Sequence, residues 1–209
     1  MKCQFDRQKM TYFPLSEREN KVTIREASIE SHTYTGTITA DLQQKASFIA
    51  QQILEANKRQ ASVICAFGAH TIKNGAGRLL GMMAKKGWIN HLATNGAGVI
   101  HDWEFAFQGA SSEDVRSNVA KGMFGTWEET GLYINLALAV GSYEGLGYGS
   151  SLGAFIRRGG LNIPPRKELL SRVENGGEGV SLSTRASAAD LLELITSLDI
   201  PSGFLAVPH

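Results

Sequence analysis

Apolar positions in this chain alternate between helical spacing and short unbroken runs, and each change of pattern marks a new element. From Asp41, the expected N-cap, Ala46, Ile49, Ala50, Ile53 and Leu54 recur at spacings of three and four, which predicts a helix with one apolar face. The run A-S-V-I-C-A-F, Ala61 to Phe67, ends at Gly68 and predicts a strand buried on both faces. Next come G-A-H-T-I-K-N-G-A-G, Gly68 to Gly77, and a helix carrying Leu79, Leu80 and Met83. Lys85 and Lys86 stand in its last turn, where cations oppose the carbonyl end of the dipole, and Gly87 is the stop. A second strand, Ile89 to Thr94, leads through T-N-G-A-G into a helix over Val99 to Phe107.

Strand, helix, strand, helix in this order predicts an α/β fold with a mostly parallel sheet, because such crossovers are right-handed and set consecutive strands side by side. Both glycine-rich turns then fall at the carboxyl edge of one sheet, the place where open α/β sheets bind ligands. His70, Lys73 and Asn74 come from the first turn; Asn95, His101 and Asp102 come from the second. Backbone amides at Gly96 to Gly98 and a helix amino end favour an anionic group such as a pyrophosphate.

The second half reads as mostly helical. Ser111-x-x-Asp114 and Thr126-x-x-Glu129 have capping-box spacing, so a helix is expected to start at each, the latter running through Tyr133 and Leu136 to Val140. Glu128 and Glu129 are accounted for by that amino end. The stretch E-G-L-G-Y-G-S-S-L-G, Glu144 to Gly153, follows a helix rather than a strand and has the wrong glycine spacing for a dinucleotide loop, so a closely packed helix-helix turn is expected. Leu161 to Val180, with Pro164, Pro165, Gly176 and Gly177, reads as an exposed excursion, partly helical around Leu169 and Leu170. Ser187-x-x-Asp190 is expected to cap a helix bearing Leu191, Leu194, Ile195 and Leu198, and Gly203 to Val207 a last strand. Residues 1 to 40 are polar and irregular, with β-branched patches at Val22 to Ile24 and Thr33 to Thr39 that predict an arm or edge strands.

Composition narrows the function classes. With 21 Lys and Arg against 20 Asp and Glu there is no basic excess to hold a phosphate backbone, so nucleic acid is not an expected partner. The longest strongly apolar run, Tyr133 to Val140, is far shorter than the ~20 residues that span a bilayer, and no membrane partner is expected. A charged start without an apolar h-region, and only Cys3 and Cys65 without metal-ligand spacing, point to a cytoplasmic location.

The segments F-G-A-H-T-I-K-N-G, Phe67 to Gly75, and T-N-G-A-G-V-I-H-D, Thr94 to Asp102, resemble the deoxyhypusine synthase family. That family has F-T-S-N-L-I-S-S-G at a strand end and T-T-A-G-G-V-E-E-D one helix later. Over these motifs His70 takes the place of an asparagine, Lys73 of a serine, and His101 and Asp102 of the second glutamate and the aspartate. The resemblance covers roughly residues 60 to 105 and is closest to a bacterial branch with G-A-H-x-I-K and N-G-A-G-x-I-H-D. It implies a Rossmann-like three-layer fold over residues 41 to 209, behind an arm of residues 1 to 40, and a homo-oligomer. It also implies NAD as cofactor, with Gly68, His70, Asn74, Gly75, Thr94, Asn95, Gly96 and Gly98 around it. Nothing after Pro165 matches the family's lysine motif, so deoxyhypusine synthesis itself is not expected. Relatives of this kind continue past V-P-H, so the chain is expected to stop short of a last segment.

Three functions follow as expectations. The first is an NAD-using enzyme acting on an amine or related small molecule, with His101 as acid or base oriented by Asp102 and Lys73 holding a phosphate or polarising a carbonyl. The second is a metal-dependent hydrolase using His70, His101 and Glu104, since His101 and Glu104 share a helix face; His91, within a strand, is expected to pack or hydrogen-bond instead. The third is a non-catalytic α/β binding or assembly protein.

Overall fold

The computed structural model describes residues 9–30, 36–174 and 181–207. In chain order, after a short 3-10 turn at Leu15–Glu17, the elements are β1 (Asn20–Thr23), α1 (Ile24–Ala27), α2 (Ala40–Lys58), β2 (Ile64–Ala66), α3 (Ala69–Lys73), α4 (Gly77–Lys85) and β3 (His91–Ala93). They continue with α5 (Gly96–Gln108), β4 (Ala110–Glu113), α6 (Val115–Lys121), α7 (Glu128–Tyr143), α8 (Tyr148–Arg158), β5 (Gly160–Ile163), α9 (Arg166–Glu174), α10 (Leu182–Ser197) and β6 (Gly203–Ala206). No helix among the described residues is long and apolar enough to cross a membrane.

The expected three-layer Rossmann-like fold with a mostly parallel sheet is not what the chain forms. Its described strands are three or four residues long and make three separate two-stranded sheets, β1 with β4, β2 with β3, and β5 with β6. β2 and β3 are parallel, with Ile64, Cys65 and Ala66 opposite His91, Leu92 and Ala93. β5 and β6 are antiparallel. Most of the apolar sequence in the second half is spent on helix-helix packing, so no third layer assembles over a continuous sheet.

The chain divides into two compact units. Among the described residues, one holds 22–30, 36–105 and 109–112. Its core is Ile72, Leu80 and Phe105, with Val22, Ile24, Cys65 and Phe67 packed against them. Cys65 and Phe67 alternate inward from β2 while Ile64, on the opposite face, is 61% exposed, so the strand expected to be buried on both faces is covered on one. α2 forms as expected but starts earlier, from Thr39, whose Oγ1 accepts the Leu42 amide at 3.3 Å; Asp41 instead pairs with Lys45 at 2.8 Å. Its predicted apolar face is uncovered: none of its residues is buried.

Among the described residues, the other unit holds 9–21, 106–108, 113–174 and 181–207. Here α7 packs on α8 and α10, and α10 on α9. Leu136, Val140, Leu152, Phe155, Leu169, Leu191 and Ile195 are all essentially without solvent contact. The expected excursion is therefore largely structural. Leu161 is buried in β5 and Leu169 in α9, while Gly176, Gly177 and Val180 lie outside the described residues, as do Cys3 and Thr33.

Three capping expectations shift. Ser111 lies in β4, and Asp114 alone caps α6, accepting the Ser117 amide at 2.8 Å. Thr126 turns its hydroxyl back to the Met123 carbonyl, and Glu129 accepts the backbone amide of Leu15 at 2.6 Å. α10 begins at Leu182 under a Ser181 cap, which leaves Ser187 inside the helix.

Candidate functional site

Parallel pairing of β2 and β3 delivers the two glycine-rich turns to the same sheet edge. β2 leads to Gly68, the N-cap of α3, and β3 leads to Asn95, the N-cap of α5. In the first turn His70 is exposed, Lys73 is half-buried, and Asn74 caps α3 at its carboxyl end. Gly75 has φ of +85°, and a Cβ there would run into the backbone of Ala27 and Ser28. Its carbonyl accepts the Ile29 amide at 3.0 Å, so this glycine serves the passage of the α1 segment over the loop. Gly68 differs: its φ is −95° and a Cβ there would meet no atom within 4 Å.

In the second turn the Asn95 carboxamide oxygen accepts the Gly98 amide at 3.0 Å. Gly98 is buried, and a Cβ on it would stand 2.5 Å from Thr94 Oγ1. Gly75, Asn95 and Gly98, all predicted cofactor residues, thus have local structural uses. Gly96 and Ala97 open α5, where the first amides of a helix have no acceptor within the helix.

His101 and Glu104 lie three apart on α5, and both reach the same hydroxyl. His101 Nδ1 is 2.6 Å from Ser111 Oγ, and that hydroxyl donates to Glu104 Oε2 at 2.5 Å. Ser111 is fully buried and Glu104 is 1% exposed, while the imidazole is half-buried. Gly109, in the left-handed conformation with φ of +69°, ends α5 and turns the chain back so that Ser111 returns alongside the helix. Burial makes each of these polar contacts consequential, because a buried carboxylate without a donor is costly.

Asp102 projects elsewhere on α5: its Oδ1 is 4.0 Å from where a Cβ on Gly77 would stand. Its surface remains partly open, yet the protein around the carboxyl displaces enough water to hold its pKa above the ordinary 3.8. At His101 Nδ1 stands the Ser111 hydroxyl, which in turn reaches Glu104. Ser111 escaped the sequence reading because its spacing to Asp114 matches a capping box, and only the turn at Gly109 brings it back to His101. The usable signal is Gly109 itself, a helix stop followed one residue later by the small polar pair Ser111 and Ser112.

Among the described residues no three His, Cys, Asp or Glu side chains converge as a metal site. His91 sits exposed on β3. No family model, curated protein or solved structure matches this chain.

Proposed function

We propose that this protein is a deoxyhypusine synthase-like, NAD-binding enzyme that acts on an amine or related small molecule, with His101 carrying the proton that the reaction moves. The observation that carries the reading is the hydrogen-bonded chain from His101 through Ser111 to the buried Glu104, on a helix whose amino end opens from the glycine-rich turn after β3. Imidazole is the side chain whose ordinary pKa suits proton transfer near neutrality.

The residues present fit the cofactor in one respect that can be checked. The space a Cβ would take at Gly68 is open, and α5 begins with the amides of Gly96 and Ala97 at the same sheet edge, a donor set suited to a pyrophosphate. When bound, NAD would supply a hydride acceptor. Lys73, half-buried at the end of α3, would hold an anionic group or polarise a carbonyl.

Calorimetric titration of the full chain with NAD and with NADH tests this reading. A saturable heat with either is expected, and weakened by G68V, whose side chain fills open space without strain on the fold. Absence of heat with both nucleotides overturns the cofactor assignment.

A second reading, a homo-oligomeric assembly protein without turnover, is favoured by α2 and the sheet beside it. Phe48 and Ile49 are 61% and 57% exposed, and they share a unit with the exposed Leu54, Ile64 and Leu92. Of these, Ile49 and Ile64 line one shallow depression between α2 and β2, and exposed apolar surface gathered in this way marks association sites. Light scattering on the wild type and F48E distinguishes it: a multimer that F48E dissociates supports assembly through α2, and a wild-type monomer removes the reading.

A further inference from the structure

We infer that Ser111 and Glu104 are positioning residues that hold the neutral imidazole of His101 with its proton on Nδ1 and its lone pair on Nε2. The inference follows from counting protons along the chain. Ser111 has one hydroxyl proton, and it is given to Glu104 Oε2 at 2.5 Å. In that bond the serine hydroxyl is the donor and the carboxyl oxygen of the buried Glu104 the acceptor. The serine oxygen can then only accept from His101 Nδ1, 2.6 Å away, which requires Nδ1–H. Donation runs one way, from imidazole to hydroxyl to carboxylate. Linked hydrogen bonds in surroundings of low polarity polarise one another, which strengthens the arrangement.

Used as a base, His101 takes a proton from the reacting molecule onto the Nε2 lone pair, and the electron pair of the broken bond stays with that molecule. The resulting imidazolium keeps its Nδ1–H on Ser111, and the Glu104 carboxylate lies one hydroxyl away from the new positive charge. Ser111 is not a nucleophile in this arrangement. It is fully buried, so its oxygen is out of a reactant's reach, and its two short bonds are taken up by His101 and Glu104. The serine does for His101 what a carboxylate does when it bonds Nδ1–H directly, with Glu104 supplying the charge at one remove.

The catalytic use of this arrangement rests on the reading of His101 as the proton carrier, whereas the tautomer itself does not. The test is a long-range nitrogen–proton correlation spectrum of the full chain labelled at the histidine nitrogens, recorded at a pH where His101 is neutral, with H101Q identifying its signals. The expected wild-type pattern has a pyrrole-type Nδ1 and a pyridine-type Nε2. S111A is expected to move the population toward Nε2–H, the form an unconstrained histidine side chain favours, and S111T to preserve Nδ1–H by keeping the hydroxyl. A wild-type spectrum showing Nε2–H overturns the inference, and so does an S111A spectrum identical to wild type. The wild-type spectrum decides the matter even if S111A fails to fold. NAD titration on the same sample separates the outcomes: Nδ1–H without nucleotide binding leaves the positioning intact and removes the cofactor reading.

Discussion

Gly141 of α7 lies so close to Ser151 of α8 that a Cβ at position 141 would overlap the serine side chain. Ser151 is itself buried, and its hydroxyl is turned back onto the Gly147 carbonyl at 2.9 Å. The two helices approach at this point because one of them has no side chain. G141A is therefore expected to destabilise the protein by ~1–3 kcal/mol through overpacking. In urea denaturation the double variant G141A/S151G should lose less than the sum of its single changes, since removing the serine side chain opens the space that the new methyl needs.

Glu129 supports the start of the chain rather than a helix cap. Its Oε2 accepts the Leu15 amide at 2.6 Å, and Leu15 is 1% exposed. E129A leaves that amide without its acceptor, and the expected loss is ~1–3 kcal/mol. E129Q keeps an acceptor without the charge and should lose less. Chemical denaturation of both variants checks the order.

Tyr143 ionises late. Burial and the hydrogen bond of its hydroxyl to Glu168, 2.6 Å long, push its pKa from 10.0 up to about 12. The unfolded chain releases this proton first, so stability is unaffected below pH ~10 and falls as pH rises from there toward 12. Absorbance titration of the phenolate should show one tyrosine titrating near 12 that is absent in Y143F, and E168Q should bring its transition down toward the ordinary range.

Asp102 works in the opposite sense from a stabilising carboxylate. Because desolvation raises its pKa, the folded protein disfavours its ionised form, and this cost sets in as pH rises through the carboxylate range. D102N is expected to melt at a higher temperature than wild type at pH 7, with the difference vanishing at pH 3, where wild-type Asp102 is protonated in both states. A thermal-melt series across that range checks the sign.

Helices were the legible part of this chain. α2, α4, α5 and α7 form where three- and four-residue spacing places them, and the lysines and Gly87 after α4 mark its end, because these signals act within a turn or two of backbone. The capping boxes misled for the same reason. A serine three residues before an aspartate is a local pattern, and whether it caps a helix depends on what else competes for the hydroxyl. Ser111 is claimed by His101 and Glu104, and Glu129 by Leu15, partners at separations that local spacing does not register.

By itself the sequence determined the short-range features: the helical segments, the parallel pair β2 and β3 with a glycine-rich turn after each strand, and His101 and Glu104 on one face of one helix. Tertiary structure alone decided that these strands do not extend into a mostly parallel sheet, because strand pairing depends on partners that no local period names. It also decided that Gly75 answers to the backbone of Ala27, and that the group meeting His101 Nδ1 is Ser111. Both approaches join residues brought together where the chain has turned back on itself, which no local spacing registers.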